Sequence, residues 1–261
     1  MNTVLYQQIV SGSLMMIVAV AAAVWWKLRS RVPWRWFWAG AGIWAVGVAL
    51  KFALAKELNP IIIGTGVPPK AGLAAGVFYC GIMTGIFEIG ITLAAALFWR
   101  RLAAEPNRAV AVGLGAGAFE ALLLGIAAAG GSVAALATGQ GDKLVSALAV
   151  YTSHTPLFWL AGPVERAIAI AAHTASRVLV LQAVAHRKWL GFWAGFAWLS
   201  LMDTLAGLAL LTGMTTSDSI WWSESMFLPL GVLSIPLTRY ALSRWPKPEP
   251  VPVEPMVEET V

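Results

Sequence analysis

Four ionisable side chains lie in the middle of four apolar stretches that are each long enough to cross a bilayer: Glu88, Glu120, His173 and Asp203. Each lies about twelve to fifteen residues, or roughly 18–23 Å of helix, from the basic residues at one end of its stretch. The hydrocarbon core is about 30 Å thick, so the four share one depth inside it. An unpaired charge there costs at least about 2.5–3.5 kcal/mol, which predicts that they meet in one buried polar site.

A histidine among carboxylates is a ligand set that zinc and similar divalent ions accept. Such an ion makes a bound water acidic enough to supply a nucleophile near neutral pH, which suits amide hydrolysis. Without a metal, a buried glutamate could activate water directly as a general base. The sequence contains no H-E-x-x-H, no G-x-S-x-G and no phosphate-binding glycine loop, so these hydrolase and nucleotide-binding classes are not indicated.

The composition places the chain in the membrane class. Of its 261 residues, 59% are hydrophobic and 12% are charged, whereas a soluble domain carries about 25% charged residues. The net charge of +5 comes from basic residues in short connections, so it predicts contact with a lipid bilayer and no nucleic-acid partner. Cys80 is the only cysteine, which excludes a disulfide within the chain.

Seven long apolar stretches predict an all-α, polytopic integral membrane protein with about seven transmembrane helices. The predicted spans run from about Val4 to Trp26, Trp34 to Ala55, Ala71 to Trp99, Ala109 to Gly130, Pro163 to Ala185, Trp189 to Leu211 and Ile220 to Leu242. Residues 1–245 therefore form a single predicted transmembrane domain of a multi-pass cell-membrane protein. Residues 246–261 are rich in proline and glutamate and predict a disordered tail.

The distribution of basic residues predicts an orientation with the N-terminus outside and the C-terminus in the cytoplasm, because lysine and arginine concentrate in cytoplasmic connections. The residues assigned to the cytoplasmic face are Lys27, Arg29, Arg31, Arg35, Arg100, Arg101, Arg108, Arg187, Lys188, Arg239, Arg244 and Lys247. The other side holds Lys51, Lys56, Lys70 and Lys143, with Arg166 near the outer end of its span.

Two stretches do not fit the pattern of apolar spans. Residues Glu57 to Lys70 contain two proline-bearing segments and predict an outer loop. Residues Ser132 to Ala161 are mildly apolar but contain several polar side chains. We expect this second stretch to be an outer loop that holds an interfacial or re-entrant helix.

The fifth span is the most polar. At 100° per residue, Arg166, His173 and Arg177 lie within about 20° of one line along its helix. Arg177 is one turn inward from His173, where it could pair with a buried carboxylate. Glu165 and Arg166 lie near the outer end, where an interfacial ion pair is the simplest interpretation.

In the fourth span, Gly113 and Gly117 lie on the helix face that also carries Glu120. Small residues four apart allow another helix to approach closely in a membrane. The glycines therefore predict a tight helix–helix contact beside the glutamate.

Taken in order, the spans carry FE, then GxGxGxxEA, then ERxxAxxxHxxS, then MD. This order resembles the YhfC-type family of intramembrane metalloproteases, distant relatives of the PrsW and CAAX-processing membrane proteases. The resemblance covers roughly Gly85 to Asp203, and its most specific part is the ER pair with a histidine eight residues after the glutamate. The motif residues are Glu88, Glu120, Glu165, Arg166, His173 and Asp203.

The resemblance implies a multi-span fold, a water-accessible site at mid-depth and hydrolysis of peptide bonds. On this basis we assign His173, Asp203 and Glu120 to a divalent metal such as zinc, and Glu120 or Glu88 to the role of general base. Glu165, Arg166 and Arg177 would support the site. The substrate would be a membrane protein or a peptide.

The chain departs from the family pattern in three places, which marks it as a divergent member. Glu88 is followed by Ile89 rather than by a second glutamate and an arginine. Ala116 and Leu199 stand where the pattern has histidines, so two metal ligands are missing. The alternatives to a metalloprotease are a proton-coupled membrane transporter, since buried carboxylates with histidine and arginine also form proton relays, and a non-catalytic membrane scaffold with a relic site.

Overall fold

The computed structural model describes residues 2–64 and 70–246, and these form helices joined by short connections, with no strand among them. We label eight helices α1 to α8. They are α1 Asn2–Ser30, α2 Arg35–Ile62, α3 Leu73–Phe98, α4 Pro106–Ala137, α5 Gly141–Thr152, α6 Ala161–His186, α7 Leu190–Leu211 and α8 Ile220–Ser243. Every helix except α5 is long and apolar enough to cross a membrane, which confirms the predicted all-α, multi-pass architecture.

Two predicted boundaries are wrong. The segment Glu57–Ile62 is the end of α2 and not loop, although Pro60 lies within it. Pro60 has no N–H to donate to the carbonyl of Lys56, yet the helix extends past it to Ile62, and the backbone N–H groups of Ile63 and Gly64 both donate to the carbonyl of Asn59 at the helix end. The remainder of that predicted loop includes residues 65–69, which lie outside the described residues.

The predicted loop Ser132–Ala161 begins later than expected, because α4 continues to Ala137. The helix expected inside it is present as α5, Gly141–Thr152, which buries none of its side chains. Its location at the membrane interface stays a prediction. Residues 247–261, which hold almost all of the predicted disordered tail, lie outside the described part of the chain.

The bundle is organised around α4 and α6, which pack against each other and bury most of their surfaces. Helices α1 and α2 pack on α4, whereas α7 and α8 pack on α6. Helix α3 packs on α7. The side chains that project from α4 and α6 toward α2, α3 and α7 therefore lie inside the protein. The orientation of this bundle across the membrane stays a prediction.

The contact between α4 and α6 depends on the glycines that the sequence singled out. An added Cβ at Gly113 would lie 2.7 Å from the Cα of Thr174, and one at Gly117 would lie 2.9 Å from the Cα of Ile170. Contacts this short are not found between real carbon atoms, so only glycine allows the two backbones to approach so closely. The predicted tight contact beside Glu120 is present.

We therefore expect Gly113→Ala to destabilise the protein by about 1–3 kcal/mol, because α6 must move to accommodate the methyl group. The measurement is thermal unfolding of the purified protein in detergent. The matched control is Gly130→Ala in the same helix, where an added Cβ meets nothing within 4 Å. Equal unfolding temperatures for the two variants would show that the close approach is unimportant.

Helix α3 is not regular. Six residues, Gly85–Gly90, form a π-helical segment with Glu88 inside it. The part before this segment packs on α7, whereas the part after it contacts α6 and α2. Short π-helical segments are rare and are frequently found at functional sites. The sequence predicts a uniform α-helix for this span, so the π-helical segment was not predicted.

Candidate active site

One cavity of about 490 Å³ lies between the helices. Its polar lining consists of Lys51, Thr84, Glu88, Glu120, Glu165, Arg166, His173 and Asp203, and its apolar lining includes Trp44, Phe52, Leu123, Leu124 and Phe227. All four ionisable residues that share a depth in the sequence line this single cavity. The prediction that they converge is therefore confirmed by their positions.

Glu88 is the least exposed carboxylate of the cavity lining, with only 4% of its side chain exposed. The Lys51 ammonium donates to Glu88 Oε1 at 2.8 Å, and the Arg177 guanidinium donates to Glu88 Oε2 at 3.2 Å. Arg177 is completely buried, so its charge depends on this partner. The pairing expected between Arg177 and a buried carboxylate is present.

Glu120 and His173 face each other across the contact between α4 and α6. His173 Nε2 lies 2.9 Å from Glu120 Oε2, and His173 Nδ1 lies 3.9 Å from Glu88 Oε2. The Arg166 guanidinium donates to Glu120 Oε1 at 2.5 Å and also to Glu165. Arg166 and Glu165 are thus paired as expected, but Arg166 also reaches the carboxylate at the centre of the site.

Asp203 lines the cavity on α7, with 37% of its side chain exposed. It accepts a hydrogen bond from the Thr84 hydroxyl, and the Lys51 ammonium lies 3.6 Å from Asp203 Oδ2. Lys51 also donates to Thr84 Oγ1 at 3.1 Å. Lys51 therefore connects Asp203 with Glu88.

Lys51 was not predicted as a site residue, because it was counted only as one of the outer basic residues. A usable signal was present. Lys51 follows Arg35 by about sixteen residues in the apolar run WAVGVALKFALA, so it shares the depth of the four other ionisable residues. A lysine within a membrane span is itself an indication of a functional site.

The model of the family described as YhfC intramembrane metalloprotease matches residues 14–224, which is most of the chain. The chain belongs to the YhfC intramembrane metalloprotease family. No curated protein and no solved structure matches the chain significantly.

Membership of the YhfC family implies a divalent metal ion, and three side chains of the cavity could bind one. Glu88, Glu120 and His173 each offer one ligand atom, and these atoms lie within 4.8 Å of one another. His173 Nδ1 is buried and has no hydrogen-bond partner among the described residues, which is the state of a nitrogen available to a metal. Two carboxylates and one imidazole match the nitrogen and oxygen ligands of zinc. The residues fit a divalent ion.

Buried apolar side chains occupy the two positions, 116 and 199, where the resemblance predicts histidines. Ala116 lies one turn before Glu120 and is completely buried. Leu199 lies one turn before Asp203, is 1% exposed and packs in an apolar cluster with Ile89. This YhfC protein therefore has buried apolar side chains at the two positions where the resemblance to the family predicts histidines.

Proposed function

We propose that this protein hydrolyses peptide bonds in its intramembrane cavity with the help of one divalent metal ion. The single observation that carries the proposal is the convergence of Glu88, Glu120 and His173, with ligand atoms within 4.8 Å of one another inside the bundle. Three protein ligands leave a coordination position for water, as in catalytic zinc sites. A metal held there would supply a nucleophilic water and polarise the carbonyl of the scissile peptide bond.

The geometry favours Glu88, Glu120 and His173 as the metal ligands. Arg177 and Lys51 would fix the orientation of Glu88, and Arg166 would do the same for Glu120. Such partners of ligating carboxylates hold them in place and tune their affinity for metal. Glu165 would in turn hold the Arg166 guanidinium in place by accepting a hydrogen bond from it.

The geometry also favours Asp203 as the proton acceptor rather than as a ligand. Its carboxylate is outside the group of three and is the most exposed of the carboxylates that line the cavity. Thr84 and Lys51 hold one of its oxygens, Oδ2. A carboxylate in this position could take the proton from an attacking water and deliver it to the leaving amine. Asp203 and Glu88 thus take roles opposite to those expected from the sequence, where Asp203 is a metal ligand and Glu88 a candidate base.

The walls of the cavity support an apolar peptide as the substrate. Trp44, Phe52, Leu123, Leu124 and Phe227 surround the polar cluster. Phe52 is 68% exposed on the outer surface of the bundle, as Leu123 and Leu124 are to a smaller extent, so the cavity wall is continuous with the lipid-facing surface. An apolar segment of a membrane protein would reach the polar cluster along this wall.

The test uses purified protein in detergent, with bound metal measured by elemental analysis. Peptide cleavage is measured by mass spectrometry on a mixture of apolar peptides added to proteoliposomes. We expect close to one divalent ion per chain, and we expect products whose summed mass exceeds that of the peptide by one water. Glu120→Gln should abolish cleavage, because it removes a ligand carboxylate. Glu57 is exposed on α2, so the control variant Glu57→Gln should cleave the peptides as the wild type does.

Two results would contradict the proposal. Cleavage by wild-type protein that contains no metal would indicate a hydrolase driven by a glutamate alone. Wild-type protein with neither metal nor cleavage, but with proton uptake into proteoliposomes, would indicate a proton-coupled carrier.

A further inference from the structure

The Lys51 ammonium is held between two carboxylates on different helices. It lies 2.8 Å from Glu88 Oε1, 3.1 Å from Thr84 Oγ1 and 3.6 Å from Asp203 Oδ2. Thr84 also donates to Asp203, so the four side chains form a closed polar group. The ammonium is surrounded by two carboxylate oxygens and one hydroxyl oxygen. Oxygen ligands of these kinds also bind Mg²⁺, Mn²⁺ and Ca²⁺ in proteins.

Glu88 connects this group with the proposed metal ligands. Its Oε1 faces Lys51, whereas its Oε2 faces Arg177 at 3.2 Å and His173 Nδ1 at 3.9 Å. One carboxylate thus lies between two cation positions. Hydrolases that use two metal ions place them about 3.5–4 Å apart, so that both can act on the same substrate oxygen atoms.

The charges of the cluster agree with a cation at the position of Lys51. Within the described ranges 2–64 and 70–246, the carboxylates of Glu88, Glu120, Glu165 and Asp203 contact three permanent cations, Lys51, Arg166 and Arg177. Without the proposed metal ion, removal of the lysine charge would leave two net negative charges when His173 is neutral. Glu88 and Asp203 would also both lose their contact with Lys51, so another cation at this position would stabilise them.

We infer that Lys51 takes the place of a second divalent ion, and that Glu88, Asp203 and Thr84 form a latent divalent-cation site which its ammonium fills. Lys51 is a positioning residue in this arrangement, because it holds Asp203 beside Glu88. Its ammonium also occupies the place where a second metal ion would bind, so the hydrolytic centre contains one metal ion. The inference rests on the proposed function for the first ion, whereas the latent site depends only on the contacts of Lys51.

The test counts Mn²⁺ bound per chain after equilibrium dialysis of purified protein in detergent, with Mn²⁺ as the only divalent ion. In the variant Lys51→Met, the methionine side chain is close to lysine in length but carries no charge. We expect it to bind about one more Mn²⁺ than the wild type, since manganese accepts carboxylate and hydroxyl oxygens. Mn²⁺ should also raise the unfolding temperature of Lys51→Met more than that of the wild type.

Three controls make the result specific. Lys56→Met removes a charge from an exposed position on the same helix and should bind as much Mn²⁺ as the wild type. Lys51→Arg retains a cation and should also show no additional ion. The double variant Lys51→Met with Asp203→Asn should lose the additional ion, because one of the carboxylates is gone.

The inference is overturned if folded Lys51→Met binds no more Mn²⁺ than the wild type. It is also overturned if Lys51→Met fails to fold even with Mn²⁺ present, since the ion would then be unable to replace the ammonium. A wild-type protein without metal, together with a Lys51→Met variant that gains one ion, would contradict the proposed function but support the latent site.

Discussion

Replacement of His173 with alanine should release the bound metal and abolish peptide cleavage. His173 is the only nitrogen donor among the three ligand atoms, and Ala116 and Leu199 offer no replacement nearby. Loss of an outer partner of a ligand typically weakens metal binding about 10–100-fold, so loss of the ligand itself should weaken it by at least about 100-fold. Elemental analysis and the peptide assay measure the two effects.

The matched control is His154→Ala, because His154 is exposed and outside the cavity lining. It should retain both the metal and the activity of the wild type. A His173→Ala protein that keeps its metal would exclude His173 as a ligand and would leave only carboxylates to hold the ion.

Replacement of Glu88 with glutamine should destabilise the protein by about 3–5 kcal/mol, which is the usual effect of breaking one side of a buried ion pair. Arg177 is completely buried, and Glu88 is its ion-pair partner at 3.2 Å. Without that carboxylate, the guanidinium would be shielded from solvent and would contact no other anion in the part of the chain that the structure describes. Chemical unfolding of the purified variant in detergent measures the loss.

A double variant distinguishes a charge effect from a packing effect. Glu88→Gln with Arg177→Met removes both buried charges and should recover much of the lost stability, since a buried ion pair and a well-packed apolar pair are often similar in stability. The control Glu105→Gln breaks the exposed pair with Arg108 and should cost less than about 1 kcal/mol. If the double variant is less stable than Glu88→Gln alone, charge compensation is the wrong explanation.

The sequence was sufficient to predict the seven spans and the convergence of the four buried ionisable residues. Both predictions depend on position along a helix. A run of apolar residues determines where a span lies, and the distance from its basic end determines the depth of Glu88 or Asp203. Charges at one depth must meet, because each would be costly in contact with lipid.

The sequence was not sufficient to predict which side chains contact one another. Contacts depend on the direction in which each side chain points, and that direction follows from helix packing. The close contact at Gly113 brings His173 to Glu120, and the π-helical segment changes the rotation of α3 at Glu88. Lys51 was missed for a different reason, since a lysine near a span end and a lysine inside the site look alike when only basic residues are counted.

The π-helical segment Gly85–Gly90 has a consequence for comparison of this protein with other members of its family. A π turn holds more residues than an α turn, so the span gains residues without a matching gain in length. A relative whose span is a regular α-helix would reach the same membrane thickness with fewer residues. An alignment that forbids gaps within spans would then pair Glu88 with a neighbour of the true equivalent, and the glutamate would look unconserved although its place in space is kept.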